Sequence, residues 1–268
     1  MVKYMKKTQK NNKKKKIEIK LTKTDKIVVP IFILLIICYF LSPKIYLVTT
    51  ARYGQGTEND NKNVEIALGK ENTEERFKLY FQWYNVIHEL GHGVLRYNSD
   101  IKISAAEEEQ LVNDFAVAYW LHYGEAEKIN ELENIVEYAS NNIKSNAPKG
   151  MNHLEYGKKN WSKPSFNTFN NYGWFQFNCV KESLKNKKTL EEVLKEMKIK
   201  NFKATKSKLF EYPIITEEVS TKIINDAVNN FHKWNLEFPE VIQFFDDDPN
   251  ANYSKPFRNI FGIYNLFK

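Results

Sequence analysis

Five consecutive residues, His88-Glu89-Leu90-Gly91-His92, have the types and the spacing of a hydrolytic metal site. Two histidines four positions apart lie on one face of an α-helix, where both imidazoles can reach the same ion. Glu89 is rotated about 100° from His88, which keeps it out of the ligand set yet close enough to take a proton from a metal-bound water. Two neutral imidazoles and a carboxylate are the ligands of an open hydrolytic zinc site, so Zn2+ is the expected ion. Without a third ligand, His88 and His92 would be satisfied polar residues on a half-buried helix. Gly91 and Gly93 each cost that helix about 1 kcal/mol relative to alanine, which implies close approach of a strand or a ligand to their face.

The third ligand is expected downstream on another helix. Glu107-Glu108-Glu109 opens a segment whose apolar residues Leu111, Phe115 and Ala118 recur at helical spacing. Any of the three glutamates could serve, and each has an alternative role as a first-turn carboxylate at the positive end of the helix dipole.

At this point the residues resemble the gluzincin-type metallopeptidases, and among them the ImmA/IrrE-like proteins. In that group an HELGH helix is followed by a second helix with Glu, then Ala or Val three places on, Asn or Asp four places on, and Phe-Ala after one more residue. Here that second string is Glu109-Gln110-Leu111-Val112-Asn113-Asp114-Phe115-Ala116. The resemblance covers about residues 77–121. It implies a zincin-like domain, Glu109 as the third zinc ligand, and Asn113, where a related pattern has Asp, as the residue steadying a histidine ligand. Gluzincin-like sites often add a His or Tyr that steadies the oxyanion. His153, in the aromatic stretch after the helices, is the expected catalytic partner of Glu89 on this ground; Tyr156 and Tyr172 are further candidates. His122 stands thirteen residues after Glu109, on a different face of its helix, and His232 lies beside Trp234 on a later one.

The expected function is that of a membrane-anchored zinc metallopeptidase. His88, His92 and Glu109 would hold Zn2+, and Glu89 would act as general base on the zinc-activated water before returning the proton to the leaving amine. The partner would be a peptide or protein substrate, added as a strand to a sheet edge that the Val64–Leu68 segment could provide. The alternative is a catalytically inactive zinc-binding module that presents 151–178 to a partner.

These residues need elements to position them. Apolar residues at helical spacing from Phe77 to Val94 predict a helix over about 73–96, opened by a capping box of Asn72 and Glu75. Further helices are expected at about 105–123, 125–143, 189–198 and 216–235. Val64, Ile66 and Leu68 alternate like a short strand ending at Gly69, and the C-terminal thirty residues look irregular. The fold class is therefore α+β and mostly helical. Asp246-Asp247-Asp248-Pro249-Asn250-Ala251-Asn252 imitates a calcium loop, but Ala251 and Phe257 stand where that loop needs glycine and glutamate, so it reads as a solvated turn.

The 268 residues, with 42% hydrophobic and 14% aromatic content, can build a substantial core, and two cysteines cannot build a disulfide framework. The net charge of +7 misleads, because eleven lysines against Glu18 and Asp25 put +9 in residues 1–26 and leave −2 for the rest. A nucleic-acid partner is not expected of a folded part without basic excess. Ile27–Leu41 is a run of fifteen residues without a charge, followed after Ser42-Pro43-Lys44 by Ile45–Val48. As a helix the first run reaches about 22 Å against a hydrocarbon core of about 30 Å, so 27–48 is the expected transmembrane anchor. The expected organisation is a basic cytoplasmic tail (1–26), the anchor (27–48), a linker (49–63) and a zincin-like domain (64–268). The preceding lysines predict a single-pass protein with its catalytic domain extracytoplasmic, or secreted if the segment is cleaved as a signal.

Overall fold

The apolar periodicity from Phe77 to Val94 becomes one continuous helical run: α2 (Thr73–Phe77), a π-helical segment (Lys78–Tyr84) and α3 (Asn85–Asn98). The computed structural model describes residues 45–204, 211–212 and 214–246. Ahead of this run lie strand β1 (Ile45–Ala51) and helix α1 (Glu58–Leu68); after it come α4 (Ala105–Tyr123) and α5 (Ala126–Asn142). The stretch without a clean period resolves into α6 (His153–Asn160), a single 3₁₀ turn (Pro164–Phe166), a second π-helical turn (Phe169–Gly173) and α7 (Trp174–Asn186). Helices α8 (Leu190–Glu196) and α9 (Glu217–Lys233) and strand β2 (Glu240–Asp246) complete the described residues. The architecture is mostly helical with a small sheet.

Helix α4 is the axis of the core. A capping box starts it, with the Ser104 side chain accepting from the Glu107 N–H and the Glu107 carboxylate accepting from the Ser104 N–H. From Val112 to Trp120 every residue of α4 is buried, because α3, α6, α7 and α8 pack around it. Trp83 of the π-helical segment stacks on Trp120 with ring centroids 3.9 Å apart, which fixes the upstream run against the far end of α4.

Both glycines of the histidine helix are explained by close approach. A Cβ on Gly91 would stand 3.0 Å from Phe115 Cδ1 and 3.3 Å from Val112 Cβ, so α3 and α4 touch nearly backbone to side chain. On Gly93 it would stand 2.5 Å from Phe238 Cζ and 3.2 Å from Tyr46 Cε2 of β1. Beta strands β1 and β2 pair in parallel, Ile45 with Glu240 through Ala51 with Asp246, and Tyr46, Val48 and Thr50 turn inward.

Several expectations from sequence are corrected here. Val64–Leu68 is the end of helix α1 rather than a strand: a Thr57–Asp60 capping box starts that helix, Gly69 at φ 86° ends it, and Ala67 and Leu68 are its buried residues. The short alternation matched a period of two by coincidence, and the proposed substrate edge at Val64–Leu68 falls with it. Asn72 adopts a left-handed conformation (φ 53°) and its side chain makes no capping bond, so the expected box with Glu75 is absent. Of the C-terminal thirty residues, expected to be irregular, Glu240–Asp246 form strand β2, and 247–268 lie outside the described residues.

The membrane-spanning reading is overturned. Among the described residues no helix is long and apolar enough to cross a membrane. Ile45–Val48, expected to close the 27–48 anchor, is strand β1 with Val48 fully buried against the core, and the apolar run there serves a sheet face. Residues 27–44 lie outside the described residues. Nor is 49–63 a linker, since it holds the end of β1 and the start of α1; the folded unit begins by Ile45 rather than at Val64.

Candidate metal centre

Helix α3 brings His88 and His92 onto one face, with ring centroids 5.0 Å apart and planes at 88°. Across from them, α4 presents Glu109. Its Oε2 lies 3.3 Å from His88 Nε2 and 3.7 Å from His92 Nε2. One ligand atom from each of the three lies within 4.8 Å of the others. Zinc bonds of about 2.0–2.1 Å in a tetrahedron imply ligand-to-ligand separations of about 3.3–3.4 Å, so these gaps suit a shared ion. His88, His92 and Glu109 are 1%, 2% and 5% exposed, which no charged group tolerates without compensation.

The hydrogen bonds around the rings set their tautomers. His88 Nδ1 is 3.1 Å from Asn113 Oδ1, and His92 Nδ1 is 3.0 Å from Glu108 Oε1. Both partners are acceptors, so each Nδ1 carries a proton; the neutral His88 ring then turns the lone pair of Nε2 toward Glu109, and His92 Nε2 faces the same carboxylate. Asn113 is fixed in this orientation. Its Oδ1 also accepts from the Tyr84 hydroxyl at 2.8 Å, while its Nδ2 donates to the Glu109 carbonyl at 2.8 Å and to Gln176 Oε1 at 3.1 Å. His88 Nε2 is buried with no hydrogen-bond partner. A buried lone pair aimed at a carboxylate oxygen is a cost that a bound cation removes. The buried His-His-Glu group could therefore hold a metal ion.

Electrostatics within the group are strongly coupled. Burial holds the His88 imidazolium below its ordinary range despite Glu109. For His92 burial acts in the same direction, but Glu109 and Glu108 outweigh it and lift the ring to about 10. Glu109 is held well below the usual carboxylate range: burial raises it, and the charge of His92 and the proximity of both rings overcome that. Glu89 is pushed up to about 8, chiefly by burial. Its Oε1 accepts from Asn85 Nδ2 at 3.4 Å, and its backbone carbonyl accepts from the Tyr46 hydroxyl at 2.8 Å, which ties β1 to the histidine helix.

The expected metal ligands are thus brought together with Glu89 next to them in sequence. Asn113 stands on His88 Nδ1. His153 is turned elsewhere: its Nε2 meets Gln110 Oε1 at 2.9 Å, and burial lowers its pKa. His122 and His232 lie outside the group. Glu107 caps α4 and pairs with Lys158 at 2.7 Å, the role open to any first-turn carboxylate. Asp114 bonds Ser183 at 2.5 Å and Lys188 at 2.9 Å, facing α7 and the connection that follows it rather than a histidine.

Four contributors were not singled out for these roles from sequence: Glu108 on His92, Tyr84 on Asn113, and the pair Tyr172 and Gln176 on Glu109. The Tyr172 hydroxyl lies 3.2 Å from Glu109 Oε1, and Gln176 Nε2 lies 2.6 Å from Glu109 Oε2. Glu108 had a signal in its adjacency to Glu109. Gln176 had none, being distant in sequence and ordinary in type. In comparisons with known proteins the chain matches no family model, no curated protein and no solved structure.

Proposed function

We propose that this protein is a zinc-dependent peptidase of the gluzincin kind, with His88, His92 and Glu109 as the metal ligands and Glu89 as the general base. The observation that carries the reading is the convergence of His88 Nε2 and His92 Nε2 on Glu109 Oε2, at 3.3 and 3.7 Å. Two imidazole nitrogens and a carboxylate oxygen, with both rings braced through Nδ1, are a donor set suited to zinc in an open site. When bound, zinc supplies a Lewis acid for a peptide carbonyl and makes a coordinated water acidic near neutral pH. Glu89 takes the proton of the attacking water and delivers it to the leaving amine, so the carboxylate begins and ends the cycle in one state. Asn85, bonded to Glu89 Oε1, holds that carboxylate in place. His153, at the start of α6, is bonded instead to Gln110, the residue after Glu109 on α4.

A second reading is favoured by one feature. Glu89 is only 8% exposed, a poor arrangement for meeting a polypeptide, and it fits a zinc-holding module that binds a partner without turnover. The test is metal analysis together with hydrolysis of a broad peptide library by the wild type and Glu89→Gln. The peptidase reading expects one zinc per chain in both proteins and cleavage by the wild type alone. Zinc in both and cleavage by neither favours the module. Undiminished cleavage by Glu89→Gln removes Glu89 from its role, and absence of stoichiometric zinc from the wild type removes the metal centre.

A further inference from the structure

Two residues one turn apart on α4, Glu109 and Asn113, are each gripped by a pair of side chains with the same spacing, one pair from either side of the helix. From the α3 side come Tyr84 and His88, both on Asn113 Oδ1. From the α7 side come Tyr172 and Gln176, both on the Glu109 carboxylate. In each pair the tyrosine lies in a π-helical segment and its partner follows four residues later on the adjoining α-helix. A π turn widens the backbone and re-aims the side chains that precede the regular helix, which brings each phenol and its partner to one target.

Gln176 is locked by three bonds. Its Oε1 accepts from Asn113 Nδ2 at 3.1 Å, and its Nε2 donates to Glu109 Oε2 at 2.6 Å and to the Tyr172 hydroxyl oxygen at 2.8 Å. Reversing the amide would set its oxygen against Glu109 and its nitrogen against the Asn113 NH₂, so only one orientation is satisfied. Gln176 and Tyr172 are 1% and 2% exposed, so these contacts are shielded from bulk solvent. Oε2, the oxygen facing both histidine nitrogens, has one lone-pair direction taken by Gln176; Oε1 is drawn toward Tyr172.

We propose that Gln176 and Tyr172 are positioning residues that hold Glu109 to metal ligation through Oε2 alone, so that the fourth place on the ion stays open. The inference rests on the metal-centre reading above. A carboxylate has two equivalent oxygens and swings readily to two-oxygen ligation, which would fill the position a hydrolytic site keeps for water. Neutral donors suit the task, because they fix the carboxylate without cancelling the negative charge that the cation needs.

The test uses the full chain loaded with cobalt(II) or zinc, comparing the wild type with Tyr172→Phe and Gln176→Met. Each substitution keeps most of the side-chain volume, and thermal unfolding of the metal-free proteins checks the fold. Visible absorption of the cobalt forms reports coordination number directly. The wild type is expected to show the intense bands of a four-coordinate ion. Gln176→Met is expected to show the weaker bands of a five-coordinate ion and, in chelator competition, zinc affinity lower by about 10–100-fold. Tyr172→Phe is expected to move both readouts in the same direction by less. Stoichiometric metal in all three proteins with identical spectra and affinities overturns this inference and leaves the metal centre standing. A wild type that takes up neither ion overturns both. If Gln176→Met does not fold, Tyr172→Phe decides alone, since it removes one oxygen atom.

Discussion

The Nδ1 atom of His88 lies 3.1 Å from Oδ1 of Asn113, so the imidazole on α3 is oriented by an amide on the same helix as the carboxylate opposite it. Asn113 also donates to Gln176 and to the Glu109 carbonyl, and thereby joins the orientation of a nitrogen ligand to that of the oxygen ligand. Replacing it by leucine removes the acceptor from His88 and from Tyr84 together. Zinc affinity is expected to fall by about 10–100-fold in Asn113→Leu. Asn113→Asp keeps the acceptor and should lose less. Chelator competition on the purified proteins measures both, and equal affinities in all three would remove Asn113 from the site.

Bound metal should stabilise the fold, because its ligands come from two helices that the unfolded chain does not hold together. A ligand at a hundred times its dissociation constant adds about 2.7 kcal/mol. Thermal unfolding of the wild type is expected to shift upward on adding zinc and downward with a chelator. Glu109→Gln, which leaves a neutral amide opposite both rings, is expected to lose most of that response. A response equal to the wild type's would show that zinc acts elsewhere.

Gly93 is held against Phe238 and Tyr46 with no room for a methyl group. On helix propensity alone Gly93→Ala should gain about 1 kcal/mol, but overpacking of a closed core costs about 1–3 kcal/mol. The expected result is a net loss of stability in denaturant unfolding. Pairing the change with Phe238→Leu should restore part of it, because the nearest atom to the new Cβ is a ring carbon of Phe238. A more stable Gly93→Ala would mean that Phe238, just ahead of β2, is not in contact with α3 at this point.

The end of β1 is joined to the start of α9 by Arg52, whose Nε and Nη2 meet the two carboxylate oxygens of Glu217 at 2.5 and 2.8 Å. The guanidinium holds the Glu217 carboxyl below its usual range. A depressed carboxylate stabilises the fold above its ordinary pKa and loses that contribution as pH falls through the lower folded value. Wild type is therefore expected to unfold at a higher temperature than Glu217→Gln at pH 7, with the gap closing as the solution is acidified well below pH 4.5. Both side chains are about a third or more exposed, so the gap should be small and should narrow in high salt. A gap that widens in acid would contradict the assignment.

Much of the site was legible in the chain because its residues are local. His88, Glu89 and His92 need only one helix, and Glu109 needs only the next one, whose extent from Ala105 to Tyr123 follows from its apolar spacing and the Ser104–Glu107 cap. What escaped notice depends on contacts between distant segments. Gln176 acquires its role only when α7 docks on α4, and no periodicity announces that. Beta strand β1 was hidden because Ile45–Val48 adjoins another apolar run, so a sheet face resembled the end of a longer hydrophobic helix. In α1, five residues were too few to separate a period of two from one of 3.6.

Pairing β1 with β2 makes the first described strand wait for the last. While the chain is being synthesised, Ile45–Ala51 emerges early and its partner only after the whole helical body has left the ribosome. Until then Tyr46 and Val48 lack their finished surroundings, and the glycine side of α3 lacks Phe238. A nascent or prematurely terminated product ending before Phe238 is thus left with an uncovered apolar seam behind the histidines.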